Sequence, residues 1–331
     1  MSRVWGWQLP TLVFAGLAAA APVLLPSLTT ELTLLWLMIV FALAWDILGG
    51  QMGYTSFGNV LFLGFGMYVT AVVQRDSGLG YYSGLELGLG AAALVTTLTA
   101  AVLGSGMLGL RGHYFAIGTL GLGIAAGEIA SSWDYVGAGG GLTVPIFPGD
   151  IHLRSSFFYY PCLLLAVATF LALRWLYGTR LGLALNAIRD DEDKAEAMGL
   201  HTTRYKTVAW CISAFFLAIA GGLLGNILGF IDPRDTAFAG ATYGIWMVVM
   251  PILGGRGTLW GPVLGALIFH VTQELFWTYL LGWQRVAMGA LIVVIVVFFP
   301  QGILGWARRR WPARFGATID EGGPMLGQNR A

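Results

Sequence analysis

Long apolar runs separated by short polar stretches set the pattern of this chain. About ten runs approach the ~20 residues that a helix needs to cross a lipid bilayer. They span 8–26, 31–48, 57–74, 84–110, 113–131, 156–176, 207–228, 241–254, 258–279 and 284–304. The first run continues through Val23-Leu24-Leu25, which favours a retained helix over a cleaved leader. Two runs read as interrupted helices. Gly49-Gly50-Gln51-Met52-Gly53-Tyr54-Thr55-Ser56 precedes 57–74, and Pro251 followed by Gly254-Gly255-Arg256-Gly257 breaks 241–254. Irregular backbone at membrane depth is tolerated only when buried in protein or lining a wet cavity. Gly53…Gly58-Asn59-Val60-Leu61 loosely echoes Gly257…Gly261-Pro262-Val263-Leu264, a hint of an internal repeat.

One polar stretch departs from this pattern. Between Tyr177 and Lys206, the run Arg189-Asp190-Asp191-Glu192-Asp193-Lys194 is charged at every position. Leu181, Leu185, Ile188, Ala195 and Gly199 recur at spacings that fit one helical stripe, interrupted by Glu192. The expected structure is a short polar helix between two spans, stopped at Gly199, with Thr202 or Thr203 capping the next helix. A solvated loop is the plainer alternative.

Composition supports an all-α polytopic membrane protein. Hydrophobic residues are 57% of the chain and charged residues 11%, against roughly 25% charged in soluble domains. A net charge of +1 offers no basic field for nucleic acid. The 48 glycines suit close helix packing in lipid. Cys162 and Cys211 lie far apart in apolar runs and are expected to be reduced. Arg174, Arg180, Arg189, Lys194, Arg204 and Lys206 gather around the central stretch, and Arg308, Arg309, Arg310 and Arg314 follow the last run. By the positive-inside rule both regions are cytoplasmic, as is the N-terminus, and Arg111 falls on a cytoplasmic turn. Loops 132–155 and 229–240 are then outside.

Little points to catalysis. Four scattered histidines give no metal-ligand spacing, and Lys194 and Lys206, the chain's only lysines, are not part of a phosphate-binding loop. No cofactor or metal is expected in this chain, and any ATP that drives it binds elsewhere. Asp46, Glu86, Glu128 and Glu274 fall within apolar runs, where ionisable groups are functional candidates. Tyr54, Thr55, Ser56 and Asn59 are polar groups at an interrupted helix start, where free N–H donors can face an anionic group or be capped locally. With Phe115, Thr119 and Glu128, the residues Tyr54, Ser56 and Asn59 make a candidate translocation path.

The ordered motifs R-G-H-Y-F-A-I-G-T-L (111–120), R-L-G-L-A-L-N-A-I-R-D-D-E-D-K-A-E-A-M-G (180–199), L-G-G-R-G-T-L-W-G-P-V-L-G-A (253–266) and F-F-P-Q-G-I-L-G (298–305) carry a resemblance. Over about 45–305 the chain resembles the LivM-type permease subunits of branched-chain amino acid ABC importers. The resemblance implies a single permease domain over 1–331, a coupling-helix loop at 177–206 and a cytoplasmic tail at 305–331. It implies a bacterial inner-membrane location and four kinds of neighbour: a second related permease, two cytoplasmic ATPase subunits holding ATP and Mg, a periplasmic binding protein and lipid. Glu196-Ala197-Met198-Gly199 resembles a shortened form of the signature by which such permeases dock their ATPases. The implied coupling set is Arg189, Asp190, Asp191, Glu192, Ala195, Glu196, Ala197, Met198 and Gly199. Urea or short amides are alternative cargoes. An ion-gradient transporter built around Glu128, a passive channel and a membrane enzyme are readings from other classes.

Overall fold

The computed structural model describes residues 20–280, scattered positions between 282 and 294, and 302–310. The expected spans at 8–26 and 284–304 and the tail at 305–331 lie largely outside the described residues, and of the arginine cluster only the backbone of Arg308–Arg310 is described. Elsewhere the apolar runs become helices. They are α1 (Thr29–Asp46), α2 (Asn59–Asp76), α3 (Tyr81–Met107), α4 (Gly112–Ser132), α5 (Ile151–Tyr177), α6 (Arg180–Asp190), α7 (Glu192–Ala197), α8 (Thr202–Leu228), α9 (Ile245–Gly254), α10 (Trp260–Tyr279) and α11 (Gly302–Arg310). Among the described residues, six helical stretches are long and apolar enough to cross a membrane. The molecule is therefore an all-α, multi-pass membrane protein.

α1 is apolar on every side, and such a helix is buried on every side. It packs against α5, α8, α9 and α10. Its most apolar window is 89% buried, against 28% for α4, so α1 is the central pillar and α4 the periphery. A wide turn at Ile47–Gln51 extends α1, and irregular backbone then runs to Asn59, where α2 begins. This matches an interrupted helix. The 241–254 region differs from expectation. Pro251 lies inside α9, which runs on to Gly254, and the irregular backbone comes earlier, in wide turns at Pro233–Ala237 and Gly240–Gly244. Proline removes only its own N–H, and the helix ends within a turn of it, so little of the ladder is lost.

α2, α3 and α8 form a second packed unit. At the α2–α8 crossing the backbones nearly touch. A Cβ on Gly66 would lie 2.1 Å from the Ala218 carbonyl oxygen, and one on Gly221 would lie 2.1 Å from that of Leu63. The two loops expected on one side of the membrane do meet. Strand β1 (Leu142–Thr143) pairs antiparallel with β2 (Phe230–Ile231), and Arg234 binds Glu128 at 2.7 Å. Cys162 and Cys211 are both free.

Gly221→Leu is expected to prise α2 from α8 and cost about 1–3 kcal/mol, as overpacking does. Thermal unfolding in detergent measures it. Gly90→Leu, where an added Cβ meets nothing within 4 Å, serves as the neutral comparison.

Candidate functional site

The charged stretch is two helices, not one. Asp191 is extended (φ −165°, ψ 106°) and separates α6 from α7. Its carboxylate accepts the Lys194 N–H at 3.0 Å and so caps α7. The Lys194 ammonium, 2.8 Å away, and that amide hold the Asp191 carboxyl below the usual carboxylate range. Gly199, in left-handed conformation (φ +87°), ends α7: its N–H reaches the Glu196 carbonyl, and the Leu200 N–H reaches that of Ala195. The expected stop holds, but Thr202 does not cap the next helix. Its hydroxyl donates to Glu196 Oε1 at 2.5 Å.

The break still leaves one buried face. Leu185, Ile188 and Ala195 are buried, whereas Gly199 is exposed. Ala195 therefore points into this chain. Asp193, Lys194, Glu196, Ala197 and Met198 lie on the open side, and Met198 is 86% exposed. Arg189 and Asp190 are also exposed, and they pair with each other at 3.1 Å.

The inner side of α7 is bonded to three other parts of the molecule through Glu192. Lys206, near the start of α8, donates from Nζ to Glu192 Oε1 at 2.6 Å and to the Leu108 carbonyl at 2.6 Å. It also reaches the Tyr54 hydroxyl oxygen at 3.1 Å, and that hydroxyl donates to Glu192 Oε2. Arg111, on the α3–α4 turn, lies 3.6 Å from Glu192, 2.6 Å from Asp193 and 3.8 Å from Glu196. Burial raises the Glu192 carboxyl pKa. The hydrogen bonds from Lys206 and Tyr54 and the nearby positive charges outweigh that effect and hold it below the usual glutamate value.

Five of the six path candidates gather around the start of α2. Tyr54, Ser56, Asn59, Phe115 and Thr119 are all buried. The Trp45 indole N–H donates to the Ser56 carbonyl, and the Phe57 N–H donates to the Thr119 hydroxyl. The Asn59 amide donates to Ser213 at 3.3 Å, while its oxygen is buried without a partner. Glu128 stands apart, exposed and bound to Arg234. None of the six lines the apolar crevice of about 430 Å³ between α2, α3 and α4, which is walled by residues such as Phe65, Tyr68, Leu103 and Phe238.

The two glycine-rich interruptions, 49–56 and 254–257, also meet. The Gly257 N–H donates to Asp46 at 2.9 Å, and its carbonyl accepts from Gln51 at 2.9 Å. Asp46, which ends α1, is 1% exposed; one of its oxygens clasps the loop before α10 through Gly257, and the other is buried without a partner. Among the described residues no cluster of three or more His, Cys, Asp or Glu could hold a metal.

Residues 27–296 match the family model described as the permease component of the branched-chain amino acid transport system. The chain is 28% identical to the high-affinity branched-chain amino acid transport permease LivM of Salmonella typhimurium, covering 87% of this chain and 72% of that protein. It is 29% identical to LivM of Escherichia coli, covering 92% and 76%. It is 32% identical to LivH of Salmonella typhimurium, covering 42% and 46%. No solved structure matches.

Because its folded-state pKa is depressed, Glu192 contributes stability fully above the ordinary glutamate range, and the contribution is lost as pH falls through the lower folded value. The gap in thermal stability between the native protein and Glu192→Gln is thus expected to be widest near neutral pH. It should close only below the ordinary value of about 4.3. Unfolding scans in detergent across pH check this; a gap that stays constant into strong acid would mean the carboxylate is not charged in its site.

Proposed function

The chain belongs to the branched-chain amino acid transport system permease family, and on that premise we propose that it forms part of the translocation path of an ATP-driven importer in the bacterial inner membrane. Its cargo is a branched-chain or related amino acid. The LivM relatives, aligned over most of both chains, favour this over urea or short amides. Its partners are a second, related permease, two cytoplasmic ATPase subunits that hold ATP and Mg, and a periplasmic binding protein. The partial likeness to LivH fits descent of two permeases from one fold. The topology has ten spans with both termini inside. The α6–α7 end faces the cytoplasm, and the β1–β2 end faces the periplasm.

The observation that carries this reading is the two-sidedness of α7. Its inner side is bonded into the bundle through Glu192 and Ala195. Its outer side presents Asp193, Lys194, Ala197 and the bare Met198 side chain. An apolar knob ringed by charges suits a protein groove, with the charges fixing register and partner choice. Arg189, Asp190, Asp191, Glu196, Ala197, Met198 and Gly199 then serve docking, while Glu192 and Ala195 seat the helix. ATP-driven closure of the ATPase pair would displace α7 and, through it, the spans. A ligand or nucleotide shifts such an equilibrium only by its differential affinity for the two states.

Tyr54, Ser56, Asn59, Phe115 and Thr119 are proposed to border the route at its inner end, with Glu128 near its outer mouth. The Asn59 oxygen, buried among these residues without a partner, supports this as an acceptor that a passing donor group could use. The ion-gradient alternative needed Glu128 as a membrane-embedded titrating site, but that carboxylate is exposed and bound to Arg234.

Met198→Asp places a charge on the docking knob and touches nothing inside the chain. It is expected to cut retention of the ATPase subunits during purification by about tenfold, the effect of ~1.4 kcal/mol. ATP-dependent uptake in vesicles should fall with it, and membrane insertion should be unchanged. Glu196→Lys is a poorer probe because Glu196 also holds Thr202. Native retention and uptake by Met198→Asp would leave α7 as a solvated loop.

A further inference from the structure

Lys206 is a buried cation that the sequence does not advertise. Its side chain is 3% exposed. An ammonium has three protons to donate, and three acceptors lie within reach: Glu192 Oε1, the Leu108 carbonyl and the Tyr54 hydroxyl. The Tyr54 hydroxyl donates a hydrogen bond to the other oxygen of Glu192, closing a ring of three side chains. The ammonium also lies 4.9 Å from the centre of the Tyr54 ring. From Tyr54 a file of edge-on aromatic contacts enters the bundle. Tyr54 meets Phe115 of α4 at 5.2 Å, Phe115 meets Trp210 of α8 at 5.8 Å, and Trp210 meets Phe62 of α2 at 5.5 Å. Phe115, Trp210 and Phe62 are fully buried.

We propose that Lys206 is the positioning residue that converts displacement of α7 into displacement of α2 and α4, acting through Glu192 and Tyr54. The inference rests on the importer reading above. Its physical basis is that α7 cannot leave its seat alone. Parting Glu192 from Lys206 would strand a charge in a buried site, which costs far more than losing an exposed pair. The Arg111 contacts to Asp193 and Glu196 are exposed and bind loosely by comparison. A close-packed aromatic file is not compressible, so it carries a push onward to α2.

The test uses the full complex in vesicles, with ATPase subunits and binding protein, and reads uptake per ATP hydrolysed. The double variant Glu192→Gln with Lys206→Met removes both charges at similar volume, so neither partner is stranded. It is expected to retain its ATPase subunits and hydrolyse ATP while uptake per ATP falls about tenfold, a typical size for coupling between sites. Native uptake per ATP in the double variant would overturn the proposal, since the pair would then only seat α7. Loss of the ATPase subunits from that variant would overturn it too, by making the pair part of docking. Absence of ATP-dependent uptake by the native complex would instead refute the importer reading on which the proposal rests.

Discussion

A buried ammonium must have every proton accepted, and in this chain that requirement draws separate parts of the molecule to one point. Lys206 enters from α8, Leu108 from the α3–α4 turn, Tyr54 from the interrupted segment before α2, and Glu192 from α7. Each alone would be a polar group at the edge of an apolar bundle. Together they fix where the charged arm lies against the spans. Such a site gives little net stability, because desolvation offsets most of the attraction. What it supplies is position: a helix of only six residues, too short to be stable by itself, is held in one place.

The rest of the fold follows from keeping polar backbone away from lipid. α1 is apolar all round and sits at the centre, with the other helices arranged about it. Where backbone is irregular between α1 and α2, most of it is buried, and the Tyr54 and Phe57 N–H groups are taken up by Leu48 and Thr119. The Asp46–Gly257–Gln51 clasp joins that region to the loop before α10. The Gly66 and Gly221 contacts let α2 and α8 approach until their backbones meet, which is how helices associate when the surrounding solvent is itself apolar.

Much of this was legible in the sequence, and the failures have physical causes. Apolar run length placed α1 to α5, α8 and α10, because a bilayer sets a length that a local window can read. The buried stripe of Leu185, Ile188 and Ala195 was legible from spacing, yet the single helix it suggested is broken at Asp191. The signal was present: an Asp followed by Glu192 and Asp193 reads as a cap with an acidic first turn. The uninterrupted stripe hid it. Pro251 misled in the opposite way, since a proline near a helix end costs little. In the sequence Lys206 is one more positive charge marking a loop. Nothing local distinguishes a snorkelling lysine from one folded inward onto a carboxylate fourteen residues earlier, because that contact exists only once α7 has turned back.

Asp191 also serves two helices at once. Its N–H ends the ladder of α6 on the Ala187 carbonyl, and its own carbonyl begins that of α7 by accepting the Ala195 N–H. No backbone hydrogen bond of either helix has to break for the two to change their mutual angle. Peptide planes are stiff, so such a change falls on one residue's two soft torsions. The charged arm is thus a pair of rods on a universal joint, in which rotation about a single α-carbon re-aims α7 while α6 keeps its alignment with α5.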